Sequence, residues 1–457
     1  MSTITLNRKT EGRFVVGILC LLALTPGSAF GVQCRRSRVP TQLFSAISIE
    51  RTAKREIGQF QEWAVQCGVQ VENGFSLVEN VVDGNEDWSA ATTTGGPEGS
   101  RVLFVPNEMI LSSARIAQEY GGYVESSFEI LGQKGLQNLY PHFFLFLRLM
   151  VEYEQGSDSP YYPWLAAMPR KWNTAVSMDE FCLSCLPPFI KSLCQKERDQ
   201  LAAFREALQV FEYLSPWAKA NQGLAKFVYS IVFTRSRTTD NGDLQIIPVV
   251  DMFNHGYPGN VMISNDQNGN CDVVLADDVP PGTPLLMSYG DPTNPSQFLV
   301  TYGFLNEAPA AFCKILISNP SQELKDIGYD PSKMLVDTAT GAVSQEVWDV
   351  ILYSRLERKP DLVRDKRNFY KAHMAGDEGA KAAIHQKYLR ESCSALRLHV
   401  DNILAEVADL AVRTNAFDSS KHPRLPLIRK HNSMVTSTFM KVRANVEQIS
   451  AQVLASR

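Results

Sequence analysis

Three short stretches hold the residue types and spacings from which chemistry is most readily built: Pro248-Val-Val-Asp-Met-Phe-Asn-His255, Met287-Ser-Tyr-Gly-Asp291 with Asn294 close behind, and Tyr302-Gly-Phe304. Taken singly, each has a structural reading. Asn254-His255 would close an apolar strand, because Asn tolerates left-handed backbone and His pairs with buried backbone groups. Tyr289-Gly290 would be a strand end and a turn with a hydrogen-bonded phenol. In order they form a series: a DxxNH, about 30 residues holding a hairpin, a YG, and a second YG thirteen residues on. The chain has seven His residues, none arranged with an evident Ser or Cys nucleophile, which speaks against acyl transfer.

The elements that must position these residues are legible from periodicity. Glu50 to Gln66 reads as an amphipathic helix through Ile57, Phe60, Trp63 and Ala64. Val69, Val71, Phe75, Leu77 and Val78, and then Arg101 to Val105 before Pro106, read as strands. The polar, Gly-rich stretch between them, Asp83 to Ser100, reads as a long surface loop. Residues 112–233 are helical in pattern, including a buried helix around Phe143 to Val151 that is too short to span a bilayer. Strand signals return at Leu244 to Val250, Val273 to Leu275 and Pro284 to Met287, the last two joined by a Pro-Pro-Gly turn. Beyond Leu305 two apolar stripes, Leu396, Val400, Ile403, Val407, Leu410 and Phe439, Val442, Val446, Ile449, Val453, predict two long helices packed on each other. The expected fold is α+β: a small β domain (50–305) interrupted by a helical insert (about 112–233) and followed by an all-helical domain (306–457).

Composition narrows the partners. The net charge is −4, yet residues 1–29 carry +2 and residues 30–49 carry +3, which leaves the body near −9. Nucleic-acid binders need clustered Lys and Arg, so a protein partner fits better. Nine cysteines without disulfide rhythm suit a reducing compartment. Cys182 and Cys185 form a CxxC, but with no second pair nearby they read as core thiols, and no metal is expected. At the start, Arg8, Lys9 and Arg13 precede an apolar run from Phe14 to Leu24 and the small residues Gly27-Ser28-Ala29. This is signal-peptide composition, and the run falls short of the ~20 residues a membrane span needs, so no membrane segment is expected in the mature form. Phe30 then opens an acid-free stretch bearing Arg35, Arg36, Arg38 and several hydroxyls, which is transit-peptide composition. Residues 1–49 resemble the bipartite leader of plastids enclosed by extra membranes; a plain secretory leader is the alternative.

The ordered motifs resemble the SET-domain protein methyltransferases, most closely the branch of Rubisco large-subunit methyltransferase and the related actin-histidine methyltransferases. Ser159-Pro-Tyr-Tyr-Pro-Trp-Leu-Ala-Ala-Met-Pro169 is similar to the segment entering that branch's helical insert, and Phe233-Thr-Arg-Ser-Arg237 to its strand-preceding element. The resemblance implies a SET-type β fold and S-adenosylmethionine as cofactor. Asn254 and His255 match the pair that holds the cofactor's methionine part and adenine, Asp251 and Ser236 match neighbouring cofactor contacts, and Tyr302 matches the second aromatic of the cofactor and lysine channel. Tyr289 matches the catalytic tyrosine. In Gly74-Phe75-Ser76-Leu77-Val78 the second glycine of the family's Gly-x-Gly-Leu-Val element is a serine; Asn73 and Phe75 there match further cofactor contacts.

The implied activity is protein-lysine N-methylation of a soluble non-histone protein that docks on the helical C-terminal domain. Histidine as acceptor, or an inactive SET fold serving as a binding module, are the alternatives. Histones fit least, since no cysteine-rich zinc modules flank the motifs. The leader carries its own test. Residues 1–29 are expected to be missing from the mature protein, with Phe30 directing plastid import; a fluorescent fusion that is secreted, and equally so with Phe30→Ala, would remove that assignment.

Overall fold

The computed structural model describes residues 47–82, 85–290, 296, 298–305, 320–330 and 334–455. Residues 1–46, where a leader is expected, and Asp291 and Asn294 of the motif region lie outside the described residues. The first helix, α1 (Ile57–Gln66), buries Ile57, Phe60 and Ala64 as its periodicity requires. It starts later than the expected Glu50. Ala53 N–H closes a turn on the Glu50 carbonyl, and Arg55 is drawn into the core, where its Nε donates to the Ala167 carbonyl at 2.8 Å. A buried guanidinium tied to a distant carbonyl holds the preceding chain out of helix.

Twelve strands follow in four small sheets among the described residues. β1 (Gln70–Val71), β4 (Arg101–Val105), β10 (Cys271–Leu275) and β9 (Val261–Asn265) make one, in that spatial order. β2 (Phe75–Val82) and β3 (Asn85–Thr92) form a hairpin pairing Phe75 with Thr92 and Val82 with Asn85, and β11 (Thr283–Pro284) adds to β3. β5 (Leu111–Ser112), β7 (Leu244–Ile246) and β6 (Arg237–Thr238) form the third. The fourth is a parallel pair, β8 (Asn254–His255) with β12 (Leu286–Met287).

Three strand expectations are corrected. Residues 85–92, expected in a loop, are β3: its buried residues Ser89, Ala90, Ala91 and Thr92 are small, so the strand carries no strong apolar signal. Its polar groups are paired, as where Asn80 Nδ2 donates to Ser89 Oγ at 2.6 Å. The strand from Leu244 ends at Ile246, because Pro248 has no N–H to donate and Val249 stands at φ 75°, a costly conformation for a β-branched residue. Pro284 to Met287 is not one strand. Thr283–Pro284 pairs with β3 and Leu286–Met287 with β8, while Leu285 between them is fully buried and donates its N–H to the Ala90 carbonyl.

Between β5 and β6 lies the helical insert: α2 (Ser113–Tyr120), α3 (Glu125–Gln133), α4 (Tyr140–Gln155), α5 (Tyr162–Ala166), α6 (Glu180–Ser184), α7 (Pro188–Gln209), α8 (Pro216–Ala220) and α9 (Gln222–Arg235). Its core is aromatic, with Phe143 edge-on to Phe204 at 5.0 Å and Tyr229 stacked on Phe233 at 4.2 Å. The Glu152 carboxylate buried in α4 is satisfied by Arg148 Nε at 2.6 Å and Ser159 Oγ at 2.5 Å.

Among its described residues the C-terminal part is helical apart from loops and a bridge between Val336 and Val343. It comprises α10 (Gln322–Asp326), α11 (Gln345–Glu357), α12 (Val363–Ala375), α13 (Glu378–Lys387), α14 (Leu389–Asn415) and α15 (Leu425–Ala455). The two predicted stripes meet: Leu396, Val400 and Val407 of α14 share one core with Phe439, Val442 and Val446 of α15. The Val453 side chain lies outside the described residues. A third core joins Met178, Cys182 and Cys185 of the insert to Leu299 and Val300 and to Leu425 and Ile428 of α15. Among the described residues no helix is long and apolar enough to cross a membrane. Phe439→Ala empties the centre of the α14–α15 core and should cost about 3–5 kcal/mol of unfolding free energy, read as a lowered urea midpoint.

Candidate active site

The parallel pairing of β8 with β12 brings the sequence motifs together. Leu286 faces Asn254, Met287 faces His255, and Gly256 N–H donates to the Met287 carbonyl at 3.0 Å. Chain leaving β12 therefore places Tyr289 beside His255. Its backbone N–H donates to His255 Nδ1 at 3.1 Å, and its hydroxyl donates to the Phe253 carbonyl at 2.6 Å. Because the amide can only donate, Nδ1 is the acceptor and the proton of the neutral ring sits on Nε2. Burial holds the His255 pKa below its ordinary value, which keeps the ring neutral, and Nε2 is buried without a hydrogen-bond partner.

Tyr302 arrives from the π-helical turn Phe298–Tyr302. Its hydroxyl donates to the Tyr289 carbonyl at 3.4 Å, and the two rings stand 4.9 Å apart. Phe298 and Phe304 close on His255 at 4.7 and 5.6 Å. Gly303 is required for that turn. It stands at φ 79°, and a Cβ there would meet the backbone carbon of Asn173 at 2.6 Å. Glu197 on α7 steadies the turn by accepting from Thr301 Oγ1 at 3.1 Å and from the Tyr229 hydroxyl at 2.9 Å. Burial pushes the Tyr289 phenol well above its ordinary pKa, and burial with the nearby Glu197 charge pushes Tyr302 up to about 12, so both stay protonated.

Asp251 anchors the other side from the 3-10 turn Val250–Met252. Its side chain is fully out of solvent, and its Oδ2 accepts from Arg235 at 2.9 Å and Trp164 Nε1 at 3.1 Å. Arg235 also donates to the Asp251 carbonyl at 2.6 Å and lies over the Trp172 ring. Burial raises the Asp251 pKa and Arg235 opposes it; Oδ1 has no partner.

Two cavities meet at this cluster. One of about 560 Å³ has a mixed lining, with Phe233, Phe253, Ile263 and Met287 set among polar groups that include Ser236, Arg237 and Ser288. The other, of about 350 Å³, is bordered by Trp88, Trp172, Asn254, His255 and Phe304. Thr234, Arg235, Asp251, Tyr289 and Tyr302 line both. Of the residues proposed from sequence, Tyr289, Asp251 and Tyr302 thus stand at the shared wall, Asn254 and His255 border the smaller cavity, and Ser236, the C-cap of α9, borders the larger. Asn73 and Phe75 line neither: Asn73 Nδ2 donates to the Arg101 carbonyl at 2.6 Å, and Phe75 stacks on Phe253 from behind at 5.7 Å. Ser76 pairs with Ala91 in the hairpin, its Oγ buried without a partner. Arg235, Thr234, His142, Trp88 and Trp172 were not singled out by sequence. Arg235 adjoins Ser236 in a quoted segment, but nothing local announces its buried carboxylate partner.

An α+β frame with a helical insert between paired strands, a helical C-terminal part and two cavities meeting at a buried tyrosine defines a SET-type fold. No family model and no curated protein matches this chain. Among solved structures, the SET domain of LSMT bound to lysine and AdoHcy is similar at a TM-score of 0.64 and 14% identity, over 88% of this chain and 93% of that one. Rubisco LSMT bound to AdoMet is similar at 0.61 and 13%, over the same shares. The chain has the fold of the SET domain of Rubisco LSMT.

His142 offers a pH test of the cavity wall. It stacks on Phe233 at 4.6 Å, and burial lowers its pKa from 6.5 to about 4. Above pH 6.5 neither folded nor unfolded chain protonates it. As pH falls towards 4 the unfolded state takes up a proton that the folded state refuses, so stability declines through this window by up to about 1.4 kcal/mol per pH unit. His142→Phe should flatten that decline in unfolding curves measured from pH 7 to 5.

Proposed function

We infer that the chain is an S-adenosylmethionine-dependent protein methyltransferase whose acceptor is a lysine of a soluble, non-histone protein. The observation that carries this reading is the meeting of two cavities at Tyr289. Displacement at a methyl group requires donor and acceptor to approach in line from opposite sides, and two chambers with one shared wall suit that approach.

The smaller cavity fits the cofactor. Trp88, Trp172 and Phe304 offer aromatic walls to a flat base, and His255 Nε2–H is a buried donor without a protein acceptor. Asn254, His255 and Trp88 would hold it, with Asp251 at the junction. When bound, S-adenosylmethionine supplies an electrophilic methyl group on a sulfonium.

The larger cavity fits the acceptor. Phe233, Phe253, Ile263 and Met287 offer apolar contacts to the four-carbon stem of lysine within its mixed lining. Burial there disfavours the ammonium, so the amine gives its proton to solvent water before it reacts. Arg235 already compensates the Asp251 carboxylate, which limits that carboxylate's pull on the amine's proton. The Tyr289 hydroxyl spends its hydrogen on the Phe253 carbonyl, so its oxygen is left to accept from the amine N–H and to aim the nitrogen lone pair at the other chamber. No separate general base is needed. The helical C-terminal part is the docking surface for the protein substrate in this reading, and the plastid is its compartment.

Tyr289→Phe removes one preorganised hydroxyl, worth ~2–4 kcal/mol in the transition state, so kcat should fall about 30- to 1000-fold. Cofactor affinity by calorimetry should change little. Methyl incorporation undiminished in the Phe variant, or a wild-type chain with no affinity for S-adenosylmethionine, overturns the reading.

A further inference from the structure

Away from both cavities, a carboxylate oxygen of Asp179, the Cys182 sulfur and a ring nitrogen of His422 converge, all within 4.8 Å of one another. Two of the three come from the start of α6. Asp179 caps that helix, its Oδ1 accepting from Cys182 N at 2.6 Å, which fixes the side chain and leaves Oδ2 facing His422. His422 comes from the connection between α14 and α15, its Nδ1 3.7 Å from that oxygen. That is beyond hydrogen-bonding distance, and Nδ1 is buried with no hydrogen-bond partner. Phe181 covers the imidazole at 4.1 Å and Phe417 stands edge-on at 6.0 Å, while the Asp179 side chain is 56% exposed and opens the cluster to solvent.

We propose that Asp179, Cys182 and His422 bind a zinc ion, with a fourth position open to water. Thiolate, imidazole and carboxylate are the sulfur, nitrogen and oxygen donors zinc takes, at roughly 2.0–2.3 Å. Ligand atoms that close around an ion at those lengths lie roughly 3.3–3.8 Å apart, which small side-chain rotations supply from the present spacing. The Cys182 thiol releases its proton to solvent as the zinc–sulfur bond forms. Thiolate and carboxylate then offset the ion's two charges, so Arg424, which lies beside both and donates to the Trp172 carbonyl at 2.5 Å, faces a neutral centre. Cys185 is not a ligand; its carbonyl accepts from Asn432 Nδ2 at 3.0 Å. The ion would fasten the insert to the C-terminal helices beside the core that also holds Leu299 and Val300 of the Tyr302 turn. A CxxC scan misses such a site, because the completing ligand is remote in sequence.

The test uses the full chain, stripped with chelator and titrated with zinc or cobalt alone. One zinc per chain should survive gel filtration, the melting temperature should rise on binding, and cobalt should give a thiolate-to-metal charge-transfer band. Cys182→Ser should abolish that band. His422→Gln and Asp179→Asn, at partly exposed positions and with the Asn still able to cap α6, should weaken zinc binding by at least about 100-fold, since losing a ligand costs no less than losing a group that orients one. Cys194→Ser, a buried thiol outside the cluster, should change nothing. The proposal is overturned by absence of bound zinc at saturating metal, by a cobalt spectrum without the charge-transfer band, or by unaltered binding in His422→Gln and Asp179→Asn. None of these readouts depends on methyl transfer.

Discussion

Asp251 is fully withdrawn from water and Arg235 nearly so, and each answers the other's charge at 2.9 Å. Removing one partner from such a pair costs about 3–5 kcal/mol, because the survivor is left charged and unpaired. The pair therefore fixes position more than it adds stability. Arg235 ends α9, Asp251 sits in the turn between β7 and β8, and Trp164 of α5 gives Oδ2 its second donor. Three elements brought together from across the insert thus share one point, and the backbone running from it delivers Phe253, Asn254 and His255. The positive φ at Val249, two residues before Asp251, is strain that this anchoring holds in place.

From that anchor the site is assembled largely through backbone groups. The Phe253 carbonyl receives the Tyr289 hydroxyl, the Met287 carbonyl receives the Gly256 amide, and the Tyr289 carbonyl receives the Tyr302 hydroxyl. The π-helical turn that delivers Tyr302 packs Leu299 and Val300 into the core shared by α6 and α15. Packing in the C-terminal helices and in the insert therefore bears directly on where the second tyrosine stands.

How much of this was legible in the sequence follows from the range of each interaction. The α14 and α15 stripes, the buried α4 helix and the Arg101–Val105 strand are local periodicities, and local periodicity is visible in sequence. Tyr289, Asn254, His255 and Tyr302 were visible as spaced motifs, and the structure gathers them around the two cavities. β3 was missed because close sheet packing selected Ser89, Ala90, Ala91 and Thr92, whose smallness looks like a loop. Arg235 was missed because its meaning lies in a partner sixteen residues away, across a strand pair. Asn73 and Phe75 show the converse. They occupy the expected place in the β2 region, yet in this chain they brace the sheet and the back of Phe253.

Backbone-held geometry also explains how the same fold persists at 13–14% identity to solved structures. A carbonyl or amide can be supplied by almost any residue, so contacts made to them constrain the path of the chain and leave most side chains free. The groups that no backbone provides are few in this site: the phenol at 289, the two-nitrogen ring at 255, the carboxylate at 251 paired with Arg235, and the residue without Cβ at 303, where Asn173 leaves no room. Those few positions form a pattern sparse enough that overall sequence comparison passes over it. Their spacing in this chain follows from the fold, since parallel pairing of β8 with β12 sets Tyr289 beside His255.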